Sequence, residues 1–163
     1  MIFVVLGTQK FQCNRLLKEI DKLLENGVIK DEVFAQKGHS DYVPHYFQTT
    51  DFLTKEEFEE RIDKCSLLIT HSGVGTILSA MNHQKPIIVY PRLKKYKEHV
   101  DDHQLDIARA FSKKKLVLMC GEEDKLSELI EKSKQFLFEK YESQRETMLQ
   151  IIRDYLREEI SDV

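Results

Sequence analysis

The sequence is short of several features that would settle its class at once. Its three cysteines, Cys13, Cys65 and Cys120, are isolated and odd in number. That pattern favours buried thiols in a reducing cytoplasm over a disulfide frame or a zinc site. No apolar run is long enough to span a bilayer. The opening segment MIFVVL is apolar but ends at Gly7 and has no basic residues before it, so it reads as a first strand rather than a signal peptide. The net charge is −3, which leaves no global basic field to attract nucleic acid. Internal repeats, low-complexity tracts and linker-like stretches are also missing.

What remains is an ordinary globular composition. Hydrophobic residues make up 41% and charged residues 33% of 163 positions, which suits one domain with a full core rather than a disordered chain. Short apolar runs predict strands over residues 2–6, 31–36, 67–70, 87–90 and 116–119, with a short strand over 45–48. Between them, 3.6-residue periodicity predicts helices. One carries Leu16, Leu17, Ile20, Leu23 and Leu24 on a face and stops at Asn26-Gly27. A second runs over 55–64 behind Thr54, with Glu57 completing a capping box. Further helices are expected over 77–82, 102–111 and 127–138, the last with Leu126, Leu129, Ile130 and Leu137 on one side. Strands alternating with helices imply an α/β fold: a single Rossmann-like αβα sandwich with a mostly parallel sheet over 1–140. Residues 141–163 form a helical extension whose stripe of Met148, Ile151, Ile152, Tyr155 and Leu156 either packs back on the sheet or docks a partner.

The stretch from Ile69 to Gln104, ITHSGVGTILSAMNHQKPIIVYPRLKKYKEHVDDHQ, is the most informative. Small residues turn a strand into a helix there, so backbone amides and the positive helix end can meet an anion. Gly7-Thr8 makes a similar turn after the first strand, and both turns would face one crevice. The spacing lacks the GxGxxG dinucleotide fingerprint and the Gly-Lys-Ser/Thr ending of a P-loop. A tight turn that needs glycine only for its own geometry is the alternative.

The segment PRLKKYKEHVDDHQ crowds His99, Asp101, Asp102, His103 and Gln104 behind four basic residues. His99 and His103 share a face if helical, but no third ligand accompanies them, so no metal is expected. A His–Asp acid/base pair has no Ser or Cys nucleophile beside it, which argues against a hydrolase. Asp, His and Gln also offer the donors and acceptors that sugar hydroxyls need. A solvated loop with Asp101 or Asp102 as a helix cap remains the plain alternative.

HSGVGTILSAMNHQKPIIVYPR…EHVDDHQLDIA resembles the nucleotide-sugar-binding half of GT-B glycosyltransferases, in the branch of the peptidoglycan lipid-linked and the eukaryotic dolichol-linked N-acetylglucosaminyltransferases. GTQKF, DYVPHYF, PRLKKYKEHVDDHQ and KYES look like the small bacterial exopolysaccharide and capsule subunits of that group. The resemblance covers nearly the whole chain and implies the C-terminal half of a GT-B fold. It implies UDP-sugar binding by His71, Ser72, Gly73, Val74, Gly75 and Thr76 at the helix start, with Gly7 and Thr8 on the same phosphates. Arg92, Asp102 and Gln104 join the donor site, Gln104 at the sugar hydroxyls. Ser79 stands where many relatives have an acid that grips the ribose, so a weaker ribose contact is expected. His99 or His103 is the candidate base, unless a partner supplies it.

The expected activity is inverting transfer of a hexose, galactose in β-1,4 linkage first and N-acetylglucosamine as the alternative, to a lipid-diphosphate-linked sugar in exopolysaccharide or capsule synthesis. No cofactor or metal is expected. The expected partner is a membrane-attached subunit that holds this chain at the inner face of the membrane. A nucleotide-sugar-binding activator without catalytic groups is the non-enzymatic alternative, and a UDP-sugar epimerase the rival enzyme.

Overall fold

The computed structural model describes residues 1–7, 12–71, 73–91, 96, 103–140, 146 and 149–154, with only the backbone of His103, Gln104 and Ile107. Six strands, β1 (Ile2–Val5), β2 (Val33–Gln36), β3 (Gln48–Thr50), β4 (Leu67–Thr70), β5 (Ile87–Val89) and β6 (Leu118–Met119), alternate with five helices. These are α1 (Asn14–Glu25), α2 (Lys55–Lys64), α3 (Val74–Asn82), α4 (His103–Lys113) and α5 (Leu126–Ser133). Every strand pair is parallel and the order is β3-β2-β1-β4-β5-β6. The expected αβα sandwich is what forms.

Parallel strands covered on both faces are nearly continuous apolar runs, as IFVV is throughout and LLIT is up to Thr70. Their alternating side chains feed two cores. Ile2, Val4, Ile69 and Ile88 meet Leu16, Leu17 and Ile20 of α1 and Leu126 and Ile130 of α5. Phe3, Val5, Leu68, Ile87 and Val89 meet Ile62 of α2, Ile77 of α3 and Phe111 of α4. Ile151 and Ile152, in the helical segment 149–154, pack against the second core, so this part of the tail lies back on the domain. Met148, Tyr155 and Leu156 fall outside the described residues.

Two sequence expectations need correction. The strand expected over 45–48 is β3 at Gln48–Thr50 instead. The backbone N–H groups of His45 and Tyr46 go to the buried Asp21 carboxylate, together with the Tyr42 hydroxyl at 2.6 Å, and so are committed to α1 rather than to a ladder. Those donors hold the Asp21 carboxyl below its usual range, outweighing the burial that raises it. Helix α5 ends at Ser133, short of 138, and Leu137 is 88% exposed rather than on its apolar stripe. Helix α1 begins at Asn14 behind Cys13 at its N-cap, and residues 8–11, where the turn after Gly7 was expected, lie outside the described residues.

The capping box of α2 is as expected. Thr54 Oγ1 accepts from Glu57 N at 3.2 Å and Glu57 Oε2 accepts from Thr54 N at 3.3 Å. Thr54→Ala should cost about 1 kcal/mol. Thermal denaturation would read this as a fall of about 2–4 °C in Tm, with ligand binding unchanged.

Candidate functional site

In this strand order the winding reverses between β1 and β4, with β2 and β3 added on one side and β5 and β6 on the other. Loops leaving the C-terminal ends of β1 and β4 diverge to opposite faces and open a crevice there, where α/β sheets bind ligands. Gly7 and Gly38 follow β1 and β2, and His71-Ser72-Gly73 connects β4 to α3.

The crevice floor is tightly built. His71 is 4% exposed, and its Nδ1 lies 3.3 Å from the Val5 carbonyl. That carbonyl can only accept, so Nδ1 carries the proton in this contact and the Thr70 hydroxyl donates to the same oxygen at 3.0 Å. The far side of the ring faces glycine backbone. A Cβ on Gly7 would sit 2.5 Å from His71 Nε2, and one on Gly73 3.0 Å from it. Gly38 has φ +57, and a Cβ there would meet the Gly7 carbonyl oxygen at 2.5 Å. Glycine is required at 7 and 38 by contact, and at 38 also by backbone conformation.

Helix α3 begins at this floor with Gly73 at its N-cap. Among the described residues no side chain caps it, and no acidic residue occupies its first turn, in contrast with the boxed and acidic start of α2. A helix start of this kind suits an anion. Gly75 is exposed, and among the described residues a Cβ there would meet nothing within 4 Å. Its lack of a side chain leaves the backbone open from the solvent side, where a ligand would approach. Ser79 lies one turn further along that side of α3 and is half-buried.

On the β2–β3 side of the crevice His39 and Phe52 form an edge-to-face pair, 5.4 Å between centroids, with Phe52 47% exposed. On the other side a cleft of about 510 Å³ opens beyond β5 and β6, lined by Arg15, Pro91, Arg109 and Gly121 among others.

Thus Gly7, His71, Gly73, Val74, Gly75, Thr76 and Ser79 are brought to one end of the sheet. Thr8, Ser72, Arg92, His99 and Asp102 lie outside the described residues. His103 and Gln104 form the first turn of α4, without described side chains. Gly38, His39, Phe52 and Arg15 were not singled out by the sequence. Only the positive φ at Gly38, after a strand, had a readable signal in its glycine.

A family model described as the glycosyltransferase family 28 C-terminal domain matches residues 1–157. The chain belongs to that family. Among similar proteins, the human UDP-N-acetylglucosamine transferase subunit ALG13 is 27% identical over 128 residues, covering 73% of this chain and 11% of its own length. The same-named subunit of Yarrowia lipolytica is 29% identical over 108 residues, covering 65% of this chain and 50% of its own. The chain thus spans half or less of the curated relatives it matches. In fold, the family 28 chain is similar to the glycotransferase of kitacinnamycin, with a TM-score of 0.59 and 11% identity, covering 95% of this chain and 39% of that one. The likeness places the family 28 sheet among GT-B glycosyltransferase folds. The candidate site of this family 28 chain is one end of its Rossmann-like sheet, where α3 starts at the crevice with Gly73 at its N-cap. Among the described residues no helix is long and apolar enough to cross a membrane.

Proposed function

We propose that this chain is the donor-binding part of a glycosyltransferase, taking a UDP-sugar at the β1–β4 crevice. The single observation that carries this is the acid-free start of α3, set against the glycine-walled floor of Gly7, His71 and Gly73. Its amides and dipole suit a diphosphate, and would stabilise UDP as it leaves, without a metal. The exposed His39–Phe52 pair offers an apolar face for the base, and the sugar end falls toward the β5–α4 segment with His103 and Gln104. N-acetylglucosamine is the donor sugar we favour, because the relatives at 27% and 29% identity carry that specificity in their names. Galactose, expected from GTQKF and PRLKKYKEHVDDHQ, is the second reading and the second arm of the test.

The reaction would be inverting transfer to a lipid-diphosphate-linked sugar, with a membrane-attached partner supplying acceptor contacts. The relatives' description as subunits supports this division of labour. Mixing the chain with UDP-N-acetylglucosamine or UDP-galactose, lipid-linked acceptor and a co-expressed partner should give turnover only when all are present. Full turnover by the chain alone would sink the divided enzyme. In the same site, Ser79→Glu should place a carboxylate at the ribose and tighten UDP about tenfold, as a charge-assisted hydrogen bond would. Competition binding reads that change directly, and weaker binding would move the ribose elsewhere.

A further inference from the structure

Arg15, in the first turn of α1, reaches across to the segment leaving β5. Its Nη1 donates to the Tyr90 hydroxyl at 2.9 Å and its Nη2 to the Pro91 carbonyl at 3.2 Å. The guanidinium carbon lies 4.5 Å from the Tyr90 ring centroid and 4.6 Å from that of Tyr96. Tyr90 is 3% exposed, and burial pushes its phenol far above its ordinary range, so it stays protonated and donates to Glu19 Oε2 at 2.9 Å. Arg15 and Glu19 are one turn apart on α1 and grip the two sides of one hydroxyl. A planar fork that donates in two directions while stacking on rings is particular to arginine; a lysine offers a point charge on a flexible stem.

Tyr90, Pro91 and Tyr96 lie between β5 and the first turn of α4, where His103 and Gln104 stand. The fixed points of this connection are therefore held by α1, an element that also begins at the crevice end of the sheet. We propose that Arg15 is a positioning residue for the hexose end of the donor site, holding Tyr90, Pro91 and Tyr96, which precede α4, in register with the nucleotide end at α3. This rests on the reading of the crevice as a UDP-sugar site. Two ends of one ligand are thereby assigned to two independently anchored parts of the chain. A change at Arg15 should separate hexose recognition from nucleotide recognition.

Three variants of the full chain, Arg15→Lys, Arg15→Gln and Tyr96→Leu, are compared with wild type in two measurements. Calorimetry with UDP, UDP-N-acetylglucosamine and UDP-galactose gives the affinity gained from the hexose. Hydrogen exchange over peptides covering 88–97 gives the anchoring itself. The expected result is UDP affinity within about twofold of wild type, with the hexose increment reduced about tenfold, the size of one lost charge-assisted contact. Exchange over 91–96 should quicken by roughly tenfold while β1 and β4 stay protected. Lysine should not rescue. Tyr96→Leu, which removes one of the two rings against the Arg15 guanidinium, should show the same split in smaller measure.

Equal losses for UDP and UDP-hexose would overturn the proposal, since Arg15 would then touch the diphosphate or act on the whole fold. Full rescue by lysine, or a wild-type chain that gains nothing from the hexose, would overturn it too. If wild type binds no uridine nucleotide, the donor reading fails by itself. Exchange then still decides the anchoring: local quickening upholds it, and an unchanged or global pattern removes it.

Discussion

Gly7→Ala is expected to displace His71 and to abolish nucleotide binding while weakening the fold. The added Cβ would sit 2.5 Å from His71 Nε2 and 2.7 Å from Cε1, distances that no relaxed contact tolerates. The ring has little room to retreat, because it is buried and its other nitrogen lies against the Val5 carbonyl and the Thr70 hydroxyl. Overpacking of this kind costs about 1–3 kcal/mol. Urea denaturation should show that loss, and UDP titration should show no binding. The coupling is specific: His71→Ala removes the clashing ring, so Gly7→Ala/His71→Ala should be less destabilised than the two single losses summed, by about 1 kcal/mol or more. Strict additivity would mean that Gly7 and His71 are not in contact as described.

Gly75→Val should do the opposite to the fold and the same to the ligand. Among the described residues a Cβ at this position meets nothing within 4 Å, so the side chain has space there. Replacing glycine near the start of a helix should leave stability level or raise it by about 0.5 kcal/mol. The same side chain would stand over the first-turn amides of α3, where we place the diphosphate. Losing one or two charge-assisted amide contacts to an anion should weaken UDP about 100-fold. A stable variant with unchanged UDP affinity would place the phosphates away from α3. The pair of glycines thus separates a residue needed for packing from one needed for approach, although both sit at strand-to-helix turns in the sequence.

Much of the fold was legible because its signals are local. IFVV and the LLI of LLIT are apolar runs, as suits parallel strands buried on both faces. Thr54 and Glu57 stand at the spacing that a capping box dictates. The segment 45–48 misled because its apolar Tyr46 and Phe47 suggest a strand, whereas its amides are drawn to Asp21, twenty-odd residues earlier and buried in a helix that reads as amphipathic. Leu137 misled through its spacing from Ile130; the helix ends at Ser133, whose hydroxyl donates to the Ile130 carbonyl at 2.6 Å. At the candidate site, the HSGVGT stretch announced the turn from β4 into α3 from sequence. The fit of Gly7 and Gly38 around one carbonyl, and the reach of Arg15 to Tyr90, depend on strands adjacent only after folding.

The central claim is that the helix start at the β1–β4 crevice binds the diphosphate of a uridine nucleotide. Titration calorimetry with uridine, UMP and UDP, without added metal, tests it most directly. The account predicts that affinity rises steeply from uridine to UDP, and that UDP binding disappears in Gly75→Val while the chain stays folded. Equal affinity for uridine and UDP, or UDP binding indifferent to Gly75→Val, would contradict it.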